Sequence, residues 1–333
     1  MSGQSGRPVP VIVDTDGGVD DAAALWFAAT APDVELVAVT VVHGNVDVGV
    51  AAANVCRVLE AAGRPDVPVV VGEPAPLGPV PVLRRADFIH GTDGLGETHR
   101  PPAAFGPTGT IVADAWAGAV TDRPDEITLV TLGPLSNPAS VFRRDPDVAT
   151  GFRRLVIMGG VVGGPGNALP LAEANIAHDP VAAEEVVTAQ WARPPLMVGL
   201  DVTHRATFTA AEVAVLERRE TPAARFLAEP LAFYGRSAGT FCAPGEFPCH
   251  DLLAVLAAVR DVVDGPVLPL AVQTAPGPAW GATVADRRVP FFERAGAGSQ
   301  QGMLEGFAPW QIALTVDPPT FRHAVLTMFS VAD

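Results

Sequence analysis

Short, β-branched apolar runs of strand length recur along this chain with helix-like stretches between them, and that rhythm limits the fold more than any other feature. The runs cover residues 9–14, 35–42, 67–71, 127–132, 155–158 and 195–200. The helical stretches between them include 20–31, 48–62, 114–120 and 181–190. Strands that are apolar on both faces belong to a parallel sheet covered by helices on each side. Strand and helix in alternation mean βαβ units. The expected class is therefore α/β, with a mostly parallel central sheet in a single Rossmann-like domain. The 333 residues suit one such unit, and 48% hydrophobic against 18% charged residues supplies a large core. Residues beyond 264 are less regular and are expected to complete the same domain, so that one catalytic domain spans 1–333, with 1–7 disordered. Residues 72–107 and 159–178, rich in Gly and Pro, read as long loops, which in compact domains usually carry function.

Composition removes several classes of chemistry. The chain contains no lysine, so all 22 of its Lys-plus-Arg residues are arginine. That excludes a Schiff-base lysine and a Walker-type phosphate loop. A formal net charge of −15 makes nucleic acid a poor partner, because affinity for phosphates comes from clustered Lys and Arg. Cys56, Cys242 and Cys249 are too few for a disulfide framework and too irregular for a zinc site. No apolar run reaches the roughly 18 residues of a membrane span. The first ten residues lack the apolar centre of a secretory signal. The expectation is a cytoplasmic protein with no membrane partner.

The chemically loaded residues sit where strands end, and open α/β sheets bind ligands at the carboxyl ends of their strands. Asp14, Asp16, Asp20 and Asp21 fall within eight residues. Four like charges so close are costly unless a cation neutralises them, and all-oxygen ligands point to a hard ion such as calcium or magnesium. A helix cap would explain one of these acids, not four. His43-Gly44-Asn45 follows the second run; Asn45 is placed to orient a substrate and brace the acids, or simply to make a polar turn. His90, in the glycine-rich stretch 90–96, either faces a ligand or decorates a surface turn. Gly133-Pro134 breaks the fourth strand and leaves the Leu132 carbonyl turned toward a ligand. Asn167, Glu173 and Asn175 on the second long loop have the side chains to hold sugar hydroxyls. Asp179-Pro180 reads as an N-cap followed by proline at the first helical position. His250-Asp251 opens an apolar helix, with Asp251 a metal ligand or a helix-start acid and His250 a proton donor or a flanking residue.

Taken together, the segments from about Val11 to Ala257 resemble the nucleoside hydrolase family, the inosine-uridine preferring type. The most specific motif is Asp14-Thr15-Asp16-Gly17-Gly18-Val19-Asp20-Asp21; Asn167…Glu173-Ala174-Asn175 and His250-Asp251 follow. The resemblance implies a nucleoside hydrolase fold and calcium-dependent hydrolysis of the N-glycosidic bond of ribonucleosides. It assigns calcium to Asp16, Asp21, the Leu132 carbonyl and Asp251, and supports the cluster with Asp14. It assigns the ribose to Asp20, Asn45, Asn167, Glu173 and Asn175; the chemistry of the residues themselves suggests His90 for the base side, Asp16 as general base and His250 as general acid. The resemblance also implies a homodimer or homotetramer. Gly17 stands where the family usually has proline, which suggests a less rigid loop. Ala174 replaces a frequent aromatic, and Tyr234 is a candidate base-side residue.

Two other readings compete. A haloacid-dehalogenase-like phosphatase would use Asp14 as nucleophile and Asp16 as acid, but normally needs a lysine beside the phosphate and leaves Asp20-Asp21 unexplained. A non-catalytic calcium-dependent ribose or nucleoside binder would have no use for both Asp16 and His250.

Overall fold

The computed structural model describes residues 7–83, 86–238, 242, 245–288 and 307–329. The expectation of disorder over 1–7 falls mostly on residues 1–6, outside that set. Six strands come from the runs read above: β1 (Val9–Thr15), β2 (Val34–Val41), β3 (Val69–Val71), β4 (Thr128–Thr131), β5 (Arg154–Met158) and β6 (Leu196–Val198). The later ones are β7 (Thr207–Thr209), β8 (Glu246–Pro248), β9 (Val263–Asp264), β10 (Val267–Val272), β11 (Thr283–Ala285), β12 (Pro309–Ile312) and β13 (Thr315–Val316). Nine form one sheet in the order β11-β10-β12-β6-β5-β4-β1-β2-β3. From β12 through β3 every pairing is parallel. Strands β10 and β11, from the irregular C-terminal region, extend the β12 edge antiparallel. Two antiparallel pairs, β7 with β8 and β9 with β13, stand apart.

The strands are buried on both faces because their apolar residues alternate between two cores. Val11, Val13, Val130, Val156 and Val198 enter one cluster with the helices Val19–Thr30, Val48–Ala61 and His250–Val259. Ile12, Leu129, Leu155, Ile157 and Met197 enter the other with Trp116, Trp310 and the helix Pro180–Thr188. Each cluster removes apolar surface from water at roughly 25 cal/mol per Å².

Strand order runs outward in both directions from β1 and β4. That reversal opens a crevice at their carboxyl ends, the position where such sheets bind ligands. The loops that leave β1 and β4 carry the aspartate cluster and the Leu132 turn. Both long loops contain a short helix, Asp87–His90 in the first and Ala174–His178 in the second. Among the described residues, no helix is long and apolar enough to cross a membrane.

Candidate active site

Asp14 is the penultimate residue of β1, level with Thr40 of β2 and Thr131 of β4. Its Oδ1 accepts from the Thr40 hydroxyl and from Asn137 Nδ2, the latter at 2.7 Å. Its Oδ2 and the Thr131 hydroxyl are buried with no hydrogen-bond partner. Burial pushes the Asp14 carboxyl up to about 7. Two residues on, Asp16 accepts from the Asn45 backbone N–H at 2.8 Å and from Asn45 Nδ2 at 2.9 Å. A Cβ on Gly44 would lie 2.0 Å from Asp16 Oδ2, so the turn before Asn45 has to be glycine.

The next two acids begin the helix Val19–Thr30. Asp21 accepts from the Thr15 hydroxyl and, at 2.8 Å, from the Gly18 N–H, so it also caps its own helix. Asp20 accepts from the Tyr234 hydroxyl at 3.3 Å, and burial, then Asp21, push its carboxyl up to about 7. Asp251 arrives from the first turn of the helix His250–Val259. Oxygens of Asp20, Asp21 and Asp251 all lie within 4.8 Å of one another. Asp16 adjoins this trio: burial and then Asp21 raise its pKa well above the carboxylate range, and Asp251 is raised by burial, Asp20, Asp21 and Asp16. All four acids are at most 4% exposed.

Four buried carboxylates cannot remain charged together without a cation, and their attraction for one is the corollary. The donor set is all oxygen, which suits a hard divalent ion. Cys249 lies close by, but burial pushes its thiol far up, so it offers no thiolate. The residues therefore fit a metal. The geometric trio differs from the sequence reading in one respect: Asp20, expected to hold sugar, stands with Asp21 and Asp251, while Asp16 flanks them.

Above the acids is a cavity of about 280 Å³. Its wall includes Asp20, Asn45, His90, Leu132, Asn167, Glu173, Asn175, His250 and Asp251, so the separate segments singled out in the sequence do meet. Asp16 and Asp21, fully buried, support this wall from behind. Asn175 Nδ2 donates to the carbonyls of Leu132 at 2.7 Å and Met158 at 3.1 Å, leaving Oδ1 to serve a ligand. The Leu132 carbonyl thus keeps one lone pair for a second partner. Asn167 Oδ1 accepts from the Ala174 N–H at 2.9 Å. Glu173 caps the helix Ala174–His178, accepting from the Asn175 and Ile176 N–H groups at 3.0 and 3.2 Å, and takes a third bond from Gly160 N–H. Burial pushes its carboxyl up to about 7.

The two predicted histidines are both neutral. His90 Nδ1 accepts from the Val19 N–H at 3.2 Å, which leaves the ring proton on Nε2, and burial pushes the ring down to about 4. Asp20 stands 3.9 Å from His90 Nδ1, and the ring, being neutral, forms no ion pair with it. His250 Nδ1 meets the Thr203 hydroxyl at 2.8 Å. Burial, His204 and His90 push His250 down to about 3. Tyr234, the chain's only tyrosine, lies 5.5 Å from the His90 ring, which places it at the site.

Three features escaped the sequence reading. Gly17 has φ +74°, and a Cβ there would sit 2.6 Å from Ala51 Cα. A proline ring, fixed near −65°, cannot take that conformation. The loop is braced instead by buried Asn54, whose Nδ2 donates to the Gly17 carbonyl at 3.1 Å and the Asp93 carbonyl at 2.8 Å. Arg57 in turn donates to Asn54 Oδ1 at 2.8 Å. A lone Asn in an apolar helix was the available signal. Asp179 caps its helix as expected, donating nothing and accepting from Ala182 N–H at 3.1 Å. It also accepts from Leu77 N–H and the Ser136 hydroxyl, both at 2.7 Å, and Ser136 meets His43 at 2.9 Å. That network ties the first long loop to the second. His178, finally, lines the cavity.

The model of the family described as inosine-uridine preferring nucleoside hydrolase matches residues 11–323. The chain is 34% identical over 260 residues to uridine nucleosidase 1 of Arabidopsis thaliana, covering 77% of this chain and 75% of that protein. It is 38% identical over 226 residues to the pyrimidine-specific ribonucleoside hydrolase RihA of Klebsiella pneumoniae, covering 68% and 71%. Among solved structures, the plant nucleoside hydrolase PpNRh1 superposes with a TM-score of 0.89 at 32% identity, covering 98% of this chain and all of that one.

Proposed function

The chain belongs to the inosine-uridine preferring nucleoside hydrolase family, and from that premise we propose that it hydrolyses the N-glycosidic bond of pyrimidine ribonucleosides, uridine foremost, at a calcium site. Uridine is favoured because the relatives named above are a uridine nucleosidase and a pyrimidine-specific hydrolase. The observation that carries the site assignment is the convergence of Asp20, Asp21 and Asp251 beneath a cavity edged by Asn167, Glu173 and Asn175. Asp16, Asp21, Asp251 and the Leu132 carbonyl are proposed as calcium ligands, with Asp20 shared between ion and ribose. We further propose a single catalytic domain, a cytoplasmic location and a homodimer or homotetramer.

A bound calcium ion supplies a Lewis-acid charge that orients the ribose diol and lowers the pKa of a water. The remaining work belongs to the chain. Asn45 holds Asp16 by two hydrogen bonds, so that its carboxylate is fixed to take the proton of the attacking water. Asp20, Asn167 and Asn175 Oδ1 receive the ribose hydroxyls. Glu173 and the neighbouring acids face a sugar that gains oxocarbenium character as the bond breaks. The departing base gathers negative charge near His250. That charge raises the affinity of the neutral ring for a proton, which His250 takes from solvent and passes to the base, while the proton that Asp16 removes from the attacking water returns to solvent. Nucleoside 5′-phosphates are poor substrates in this account, since the chain offers no lysine and no phosphate loop.

The phosphatase reading loses its footing with the family assignment, and relatives named as a nucleosidase and a hydrolase weigh against a non-catalytic binder. Elemental analysis of purified protein tests the metal: about one calcium per chain is expected. Asp21→Ala should lose both the ion and turnover, and active wild-type protein free of divalent metal would overturn the proposal.

A further inference from the structure

His178 ends the helix Ala174–His178, three residues beyond Asn175, and lines the same cavity. Its Nδ1 lies 2.7 Å from the Ala174 carbonyl. A carbonyl only accepts, so Nδ1 carries the proton. Burial pushes the ring's pKa down, which keeps a second proton off. The result is a neutral imidazole whose Nε2 holds a lone pair, and among the described residues Nε2 takes no hydrogen bond. His90 is its converse: there the Val19 N–H occupies Nδ1, and Nε2 is left as the donor. The cavity wall therefore contains two neutral imidazoles of opposite polarity, each set by a backbone group.

We propose that His178 is a fixed hydrogen-bond acceptor for the substrate, taking an N–H or O–H of the bound nucleoside at Nε2 and selecting nucleosides that present one. This rests on the hydrolase reading above. Two groups of uridine have the required chemistry, the imide N–H of the base and the 5′-hydroxyl of the sugar. The other acceptors of the wall, Asp20, Asn167, Glu173, Asn175 and Asp251, are assigned above to the ion and the ribose, and Leu83, Ala86, Phe88 and Ile89 are apolar. A substrate that covers the half-buried ring but lacks the donor leaves the Nε2 lone pair unmatched, which sites built around a hydrogen bond penalise.

The test has two arms. First, ¹⁵N NMR of histidine-labelled, ligand-free protein at pH 7 should show His178 as the neutral Nδ1–H tautomer, with the resonance assigned by its absence from His178→Phe. An Nε2–H tautomer or an imidazolium would overturn the proposal whether or not the protein turns over nucleosides. Second, kcat/KM is compared for uridine, 3-methyluridine and 5′-deoxyuridine in wild type, His178→Phe and His178→Gln. Wild type should lose about tenfold on one analogue, the worth of one neutral hydrogen bond, and which analogue it is identifies the donor. His178→Phe should erase that preference by falling on uridine and on the analogue that keeps the donor, while the analogue lacking it is unchanged, and His178→Gln, which retains a carbonyl acceptor, should restore part of it. Equal losses on all three substrates in His178→Phe would mean that the ring merely packs. Wild-type protein that cleaves no nucleoside would defeat the hydrolase reading instead, and the tautomer would still decide this one.

Discussion

At Asp16, Asp20, Asp21 and Asp251 the chain buries charge that its own fold does not neutralise, and nearby residues are spent on holding those acids in place. Asn54 shows the logic at one remove. Its amide ties the carbonyl of Gly17 to that of Asp93, so the loop of acids and the loop of His90 share one fastener. Asn54→Ala strands two carbonyls, at a cost of about 1–3 kcal/mol in stability. Calcium affinity and kcat should fall with it, and a urea titration beside a calcium titration checks both. His250 is tested differently. His250→Ala should lower turnover of uridine by about 10²–10⁴-fold if the residue supplies the proton. It should hardly affect p-nitrophenyl riboside, whose leaving group needs none; equal losses on the two substrates would remove His250 from the chemistry. The acids themselves were legible in the sequence because nothing but a cation explains four aspartates in eight residues. Their division of labour was not. Whether Asp16 or Asp20 joins Asp21 and Asp251 depends on how the first helical turn rotates each side chain, and Asp251 comes from more than 200 residues away.

The elements were read well where a single pattern decides them and poorly where tertiary contacts do. Residues 35–42 were expected as a strand and form Val34–Val41; the helix expected over 48–62 is Val48–Ala61, ending just before Gly63 at φ +73°. The two long loops both reach the cavity, but their short helices, Asp87–His90 and Ala174–His178, were missed. Neither is long enough to show a period, and the second exists because Glu173 caps it. The turn joining β1 to its helix shows a further limit. Gly17 in place of proline suggested a looser loop, whereas the structure holds it between Ala51 and Asn54 at a φ that only glycine adopts readily. Gly17→Ala should therefore cost about 1 kcal/mol or more, from the strained φ and the contact with Ala51 together. A shift of the urea midpoint to lower concentration would show it, and an unchanged midpoint would refute the bracing.

For the whole molecule, the strand order that places β1 beside β4 is what gathers acids, amides and histidines at one crevice. Alternation predicted the parallel sheet, but the antiparallel edge of β10 and β11 depends on pairings too distant in sequence to read. The buried acids also give the protein a pH signature. Asp14, Asp20 and Glu173 have folded pKa values of about 7, above their ordinary values of 3.8, 3.8 and 4.5. Metal-free native protein therefore holds protons that the unfolded chain has lost, so these groups stabilise it at low pH and lose that effect as pH rises through 7. His43, His90 and His250, pushed below 6.5 in the folded state, add an opposing slope around pH 6.5 that has largely faded above about pH 7. Stability in chelator should thus fall between about pH 7 and 8, and calcium should flatten the decline by favouring the ionised acids. Urea titrations across that range check the sign. The most direct test of the account is the release of uracil from uridine and from 2′-deoxyuridine, each with calcium and with a chelator. The account predicts turnover of uridine that the chelator abolishes and added calcium restores, with 2′-deoxyuridine slower by about 10⁴-fold because the site is built around the missing hydroxyl. Uridine cleavage that persists in chelator, or 2′-deoxyuridine cleaved as fast as uridine, would contradict it.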